Sequence, residues 1–124
     1  MDDLMQKYIV DIKESVLSIE SYLGENRDFS HYLKNKMLRR AVEREFEIIG
    51  EAMNKLDKLN PDIPISSKKQ IIALRNRVIH SYDKIDNEII WGVIVRHLPK
   101  LKKEIINLAN KNPLSGDNSK AVKL

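Results

Sequence analysis

The chain has 124 residues, 42% of them hydrophobic and 32% charged, and its formal net charge is +4. This length supports one domain with one core, and the absence of cysteine excludes a disulfide scaffold, a thiolate metal site and a cysteine nucleophile. No apolar run approaches the ~20 residues that span a bilayer, and the acidic N-terminus is unlike a signal peptide, so we expect a cytoplasmic protein without membrane association.

Two long amphipathic helices are predicted in the first half of the chain. Gly24 stands where a glycine ends the first helix, and the second runs from Asp28 or Ser30 to about Leu59. Their apolar stripes consist of Leu4, Tyr8, Ile12, Val16, Ile19 and Leu23 in the first helix and of Leu33, Met37, Ala41, Ile48, Ala52, Leu56 and Leu59 in the second, the latter widened by Val42, Ile49 and Met53. Long helices with short connections favour an up-and-down antiparallel bundle.

A third, shorter helix is predicted after a proline-rich break. Pro61 and Pro64 each remove a backbone donor and disfavour a helix in the residue before them. Ser66 or Ser67 then caps a helix that extends through about Tyr82.

The fourth predicted helix begins after Asp86 and contains a proline. Pro99 should kink this helix or divide it into two pieces. Its apolar stripe consists of Ile90, Val93, Ile94, Leu98, Leu101, Ile105 and Leu108. We therefore expect an all-α, up-and-down antiparallel bundle of four to five helices over residues 1–111, followed by a flexible C-terminal tail over residues 112–124.

The third helix departs from the pattern of a plain bundle. Arg75 falls in the middle of its apolar arc, where Leu or Ala is typical, and Asn76 and His80 project from one side of the helix next to that arc. Because a guanidinium keeps its charge, an Arg near a core or an interface needs an anionic partner, either a carboxylate of this fold or a phosphate of a ligand. The alternative is that Arg75 extends to solvent at the helix end.

The three histidines are the near-neutral acid–base groups of the chain. We expect His31 to face solvent and His97 to be a hydrogen-bonded residue of the core or its rim. His80 is the candidate catalytic group because Arg75 and Asn76 accompany it. No metal-binding His pair and no Gly-rich phosphate loop occur, so the sequence predicts neither a metal nor another cofactor.

Three stretches together resemble a known family. Residues 75–82, RNRVIHSY, are similar to an R-x4-H-x-Y signature, and residues 40–52, RAVEREFEIIGEA, to the second-helix signature of the same family. Residues 90–91 and 98–101, IW and LPKL, resemble its fourth helix. The family is the HEPN superfamily (higher eukaryotes and prokaryotes nucleotide-binding domains), in its HepT-like toxin branch, and the resemblance spans residues 1 to about 110.

This resemblance implies a HEPN-like bundle that forms a homodimer or a higher even oligomer, with the motif helices of two copies facing each other across a cleft. It also implies a toxin that is a metal-independent endoribonuclease, with Arg75 and His80 essential, Asn76 beside them and tRNA as one candidate substrate. RNA supplies its own nucleophile, the 2′-OH, so cleavage requires a proton-transferring group and a cation that stabilises the charge on the phosphate.

The resemblance further implies a protein partner. HepT-like toxins are typically encoded beside a minimal nucleotidyltransferase, MntA, which acts as the antitoxin. In some pairs that enzyme transfers AMP to the motif tyrosine, here Tyr82, and an added anion two residues from His80 would repel a phosphate backbone. From the residues alone, Tyr82 is an aromatic at the bundle end with a hydrogen-bonded hydroxyl.

Several alternatives stay open on the residues alone. The first alternative concerns the carboxylates Glu43, Glu47 and Glu51. They form a solvated ladder of salt bridges, or Glu47 or Glu51 turns towards Arg75 as a supporting residue. The helical phase of Glu45 lies nearer the apolar stripe. The protein could also be a non-catalytic helical partner that binds a nucleotidyltransferase or a nucleotide. In a third interpretation Arg75 only fixes the register of a dimer.

The distribution of charge is uneven along the chain. Residues 1–30 contain three basic and seven acidic residues, a net charge of −4, whereas the remainder has 19 basic and 11 acidic residues, a net charge of +8. A basic body suits a polyanion or a pairing of oppositely charged subunit surfaces. A mixed, solvated surface is the alternative.

Overall fold

The computed structural model describes residues 3–25, 27–80 and 86–111, with the backbone alone for residues 78–80. In that part of the chain there are six α-helices and no strand, which confirms the all-α prediction. The helices are α1 (Asp3–Leu23), α2 (Phe29–Lys34), α3 (Lys36–Leu59), α4 (Lys68–His80), α5 (Asn87–Arg96) and α6 (Leu98–Lys111). Within the described ranges no helix combines the length and the apolar character that crossing a bilayer requires.

Asn35 divides the predicted second helix into α2 and α3. Its backbone is extended, with φ −102° and ψ 94°, and its Oδ1 accepts a hydrogen bond from the N–H of Leu38 at 3.0 Å. An Asn at this position satisfies a donor that the first turn of a helix leaves unpaired, and its side chain competes with continuation of the preceding helix. The prediction of one continuous helix is therefore wrong at this residue.

The predicted helix boundaries at Gly24, Asp86 and Pro99 are confirmed, and the predicted helix end at about Tyr82 lies outside the described residues. Gly24 follows α1 with φ 62°, a conformation that glycine tolerates. His97 separates α5 from α6, and Pro99 is the second residue of α6, where an N–H would have no partner within the helix. Asp86 caps α5 through its side chain. The predicted tail, residues 112–124, lies outside the described residues.

The core is formed mainly by α1, α3 and α6, and α4 packs against α3. The hydroxyl of Tyr22 donates to Glu45 of α3, and the Nζ of Lys55 lies over the ring of Tyr8, so α1 and α3 are antiparallel. The largest fully buried side chains are Ile9, Ile12, Ile19, Tyr32, Phe46, Ile49, Met53, Leu56, Ile71, Ile90, Leu98 and Leu101. This arrangement agrees with the predicted up-and-down bundle.

The predicted apolar stripes are confirmed in the fourth helix and partly wrong in the first two. The stripe of the fourth helix is buried throughout α5 and α6. Residues predicted in a stripe that are substantially exposed are Leu4, Leu33, Met37 and Leu59. The core face of α3 includes the predicted Val42, Ile49, Met53 and Leu56, together with Leu38 and Phe46, which the prediction missed. The break at Asn35 restarts the helix, so residues before it do not continue the face of α3.

Candidate active site

The candidate site is on α4, which packs antiparallel to α3. Near the start of α4 the Nζ of Lys68 donates to the Oδ1 of Asp57 at 2.8 Å, and two turns later Arg75 lies against Gly50. Both contacts follow the same antiparallel register, because an advance along α4 corresponds to an equal retreat along α3. This register places the last turn of α4 beside the turn of α3 formed by residues 43–47.

Gly50 allows α4 to approach α3 closely at Arg75. A Cβ at residue 50 would lie 2.1 Å from the Cβ of Arg75, 2.6 Å from its Cγ and 3.3 Å from the carbonyl oxygen of Ile71. The first two separations are far below van der Waals contact, so any other residue would push the two helices apart. The sequence interpretation missed this role, for which the available signal was a glycine inside a strongly helical pattern.

The guanidinium of Arg75 has a hydrogen-bond partner at Nη1 and none among the described residues at Nε. Arg75 is partly buried, and its Nη1 donates to the Oδ1 of Asn76 at 3.0 Å. In the part of the chain that is described, its Nε is buried without a hydrogen-bond partner, and no carboxylate lies within 4 Å of the guanidinium. A buried, charged donor without a partner is unfavourable, so this group is suited to an anion that arrives from outside the described residues.

Two carboxylates of α3 form ion pairs along their own helix. Glu47 lies 3.6 Å from the Nη1 of Arg44, and Glu51 lies 3.4 Å from the Nζ of Lys55. Such partly exposed pairs contribute about 0.3–0.5 kcal/mol each. The supporting role of Glu47 or Glu51 towards Arg75 stays a prediction.

The other two carboxylates of this stretch have different surroundings. Glu45 faces α1, where it accepts a hydrogen bond from the hydroxyl of Tyr22 at 2.9 Å. Burial raises the pKa of Glu43, although the positive charges of Arg40 and Arg39 act in the opposite direction. The turn of α3 beside the end of α4 therefore contains a half-buried carboxyl between arginines.

The C-terminal half of α4 has a basic and polar surface. Asn76 is exposed and four residues before His80, which is the last residue of the helix. The basic residues of α4 are Lys68, Lys69, Arg75 and Arg77, and the helix contains no acidic residue. The side chain of His80 lies outside the described atoms, and Tyr82 lies outside the described residues.

The other two histidines lie where the sequence predicts. His31 is exposed on α2, and the partly buried His97 has its Nδ1 3.2 Å from the Oγ of Ser67. The N–H of Ser66 donates to the carboxylate of Glu104 at 3.1 Å, so both serines attach the start of α4 to the α5–α6 region. Among the described residues no group of three or more His, Cys, Asp or Glu is arranged to hold a metal ion.

Comparison with known proteins gives one family. The family described as ribonuclease HepT-like matches residues 5–108 of the chain. MJ1380 of Methanocaldococcus jannaschii, named as a candidate RNase, is 34% identical over 105 residues, which cover 82% of this chain and 93% of that protein. A protein of Thermococcus cleftensis named as a probable ribonuclease HepT is 33% identical over 99 residues, covering 77% of this chain and 86% of that protein. No solved structure matches the chain significantly.

Proposed function

The chain belongs to the HepT-like ribonuclease family, and from this premise we propose that it is an endoribonuclease and the toxin of a toxin–antitoxin pair. Arg75 and His80 are its catalytic residues, and Asn76 assists them. The observation that supports this assignment best is the setting of Arg75. Its Cβ and Cγ pack against Gly50, its Nη1 donates to Asn76, and its buried Nε has no hydrogen-bond partner among the described residues.

The proposed reaction uses the 2′-OH of RNA as the nucleophile. His80 accepts the proton of this hydroxyl as its oxygen forms a bond to the adjacent phosphorus, and the bond from phosphorus to the 5′-oxygen breaks. A second acid delivers a proton to that oxygen, so the products are a 2′,3′-cyclic phosphate and a 5′-hydroxyl. Arg75 stabilises the negative charge that increases on the phosphate oxygens. None of these steps requires a metal ion.

A homodimer, or a higher even oligomer, supplies the second acid. One α4 helix provides one His80 and one Arg75, whereas two α4 helices facing each other across a cleft provide two of each. The basic surface of α4 supports RNA as the substrate, because a polyanion is attracted to clustered positive charge regardless of base sequence. We propose tRNA as the first RNA to test and the cytoplasm as the site of action.

The proposed partner is a minimal nucleotidyltransferase that transfers AMP from ATP to the hydroxyl oxygen of Tyr82, with release of pyrophosphate and of the hydroxyl proton. Tyr82 follows His80 by two residues, so an AMP group there adds negative charge close to the proposed catalytic imidazole. This charge would repel an RNA backbone and inactivate the toxin. The mass of the protein after coexpression with the enzyme tests this step, since one AMP per chain, lost in Tyr82→Phe, is expected.

Cleavage of end-labelled tRNA in the presence of EDTA tests the catalytic assignment. We expect His80→Ala and Arg75→Ala each to reduce the cleavage rate at least ~10²-fold. Arg77→Ala is the matched control, because Arg77 is an exposed arginine two residues further along the same helix. It removes the same charge from α4 and should change the rate by only a few-fold. Circular dichroism confirms that each variant is folded.

Three results would contradict the proposed chemistry. Inhibition of the wild-type protein by EDTA would contradict metal independence. An inactive wild-type protein that forms a stable complex with a nucleotidyltransferase would identify a non-catalytic binding partner instead. Variants of Arg75 and His80 that alter only dimer dissociation would show that Arg75 sets the register of the dimer.

A further inference from the structure

Gly92 lies in the interior of α5, and no packing against the described residues explains a glycine there. A Cβ at this position would meet only the guanidinium carbon and Nη1 of Arg96, both at 4.0 Å, so an alanine would fit without displacement. Glycine is among the least favourable residues in a helix interior. At Gly50, by contrast, the missing side chain is required by a neighbouring helix. A glycine on an open helix face permits the same close approach by a helix from another molecule.

The charges on either side of Gly92 are arranged symmetrically. Glu88 precedes Gly92 by four residues and Arg96 follows it by four, so the three lie on one row of α5, with each charge ~6 Å from the glycine along the axis. Both charged residues are exposed. If a second α5 crosses antiparallel at Gly92, each Glu88 lies opposite the Arg96 of the other copy. A face that is complementary to itself is a requirement of a two-fold interface.

Apolar side chains border this row. A groove of about 440 Å³ lies on one side of it, lined by Phe29, Trp91 and Val95 together with the three residues of the row. Val95 is 59% exposed, and the rings of Phe29 and Trp91 are 5.8 Å apart. Apolar surface beside oppositely charged groups is typical of an interface core with a charged rim.

We infer that a second copy of this chain docks on this face, with the two α5 helices crossing antiparallel at Gly92 and each Glu88 paired with the other copy's Arg96. The inference deepens the proposed function, since it assigns a surface to the proposed homodimer. Five residues lie between His80 and Asp86, the N-cap of α5, so His80 is at most about 22 Å from the start of the helix that forms this interface.

Charge reversal tests the pairing. Glu88→Arg and Arg96→Glu each place like charges opposite one another in a homodimer, so the dissociation constant should rise roughly ten-fold or more. The double variant Glu88→Arg/Arg96→Glu restores opposite charges, so its dissociation constant should be within about three-fold of the wild-type value. An equimolar mixture of the two single variants should form a heterodimer, since both of its pairs are then attractive.

Sedimentation equilibrium over a range of protein concentrations measures these constants. Glu14→Arg and Lys103→Glu are the matched controls, because both make the same kind of charge reversal at exposed positions of other helices and should leave dimerisation unchanged. Tighter association of the mixture than of either single variant supports the inference directly.

Three outcomes would overturn the inference. If both single variants dimerise like the wild type, the surface is wrong, although the proposed homodimer stands. If the single variants dissociate and neither the mixture nor the double variant recovers, the antiparallel pairing is wrong. If the single variants keep the dimer and lose a nucleotidyltransferase, this face binds that partner. Cleavage of tRNA by the wild-type protein is scored separately, so failure of the surface and failure of the proposed activity are distinguishable.

Discussion

Gly50 in α3 and Gly92 in α5 both lie in helix interiors, but their surroundings are opposite. Each lowers helix stability by ~0.5–1 kcal/mol relative to alanine. At Gly50 the close contact with Arg75 offsets this cost within the chain, whereas among the described residues a side chain at Gly92 would meet only the flexible end of Arg96. An unfavourable residue in a helix therefore marks a close contact, and only the structure shows whether the contact is internal or external.

The largest effect on stability is expected for Gly50→Ala. The added Cβ would overlap with the Cβ and Cγ of Arg75, which cannot rotate away as the end of a side chain can. Separation of α3 and α4 should lower the free energy of unfolding by about 2–3 kcal/mol, measured by urea denaturation. If the free energy of unfolding of Gly50→Ala were within ~0.5 kcal/mol of the wild-type value, this would contradict the close approach of α3 and α4 at Gly50.

Arg75→Met separates function from stability at the same contact. Methionine keeps the atoms that pack on Gly50 and removes the guanidinium whose Nε is buried without a described partner. We expect the free energy of unfolding to rise by about 1 kcal/mol while RNA cleavage falls at least ~10²-fold. Loss of stability in this variant, measured by urea denaturation, would indicate that Arg75 serves the fold.

Gly92→Ala should have the opposite effect on the monomer to Gly50→Ala. Because an added Cβ would make only ordinary van der Waals contact with the end of Arg96, higher helix propensity should raise the free energy of unfolding by ~0.5–1 kcal/mol at concentrations where the protein is monomeric. The same variant should weaken the dimer, because the Cβ occupies the proposed crossing point. Lower monomer stability in thermal unfolding would show that Gly92 is required internally.

The smallest effect is expected for Tyr32→Phe, beneath the α5 face. Tyr32 is fully buried against Trp91, and its hydroxyl has no hydrogen-bond partner in the described residues, so the variant should gain up to about 1 kcal/mol at pH 7. Burial raises the pKa of Tyr32 above its ordinary value of 10.0. The free energy of unfolding of the wild type is therefore unaffected by this group below pH 10. It falls as the pH rises further, because Tyr32 ionises in the unfolded state first.

Between pH 8 and pH 11 the free energy of unfolding, measured by denaturation, should accordingly fall more steeply for the wild type than for Tyr32→Phe. Tyr22→Phe serves as a comparison, because Tyr22 is exposed and its hydroxyl donates to Glu45. If the free energy of unfolding fell equally with pH for the wild type and Tyr32→Phe, this would contradict the claim that the buried hydroxyl of Tyr32 retains its proton in the folded state.

Periodicity and turn residues predicted much of the fold. The stripe of α5 and α6, the helix end at Gly24 and the break near Pro99 all follow from local rules. The break at Asn35 was missed because an Asn within an apolar pattern gives little sign that its side chain will cap a new helix. Because Leu33 precedes this break, it does not continue the face of α3 and its predicted burial failed, whereas the exposure of Met37, inside α3, has no such explanation.

The candidate site was only partly accessible from the sequence. The position of Arg75 within an apolar arc could be read from the sequence, because charge and helical phase are both local properties. Whether its side chain lies near the core or extends to solvent stayed open at that level, and the structure shows a partly buried residue. The role of Gly50 depends on the register between α3 and α4, which no local pattern contains. Likewise, the direction of Glu45 towards Tyr22 depends on which helix packs beside α3.

The central claim is that His80 transfers a proton during RNA cleavage beside the charge of Arg75. Single-turnover cleavage of tRNA by His80→Ala, with and without added imidazole, tests it most directly. The account predicts a rate at least ~10²-fold below the wild type that recovers in part as imidazole is added. A His80→Ala protein that cleaves as fast as the wild type would contradict it.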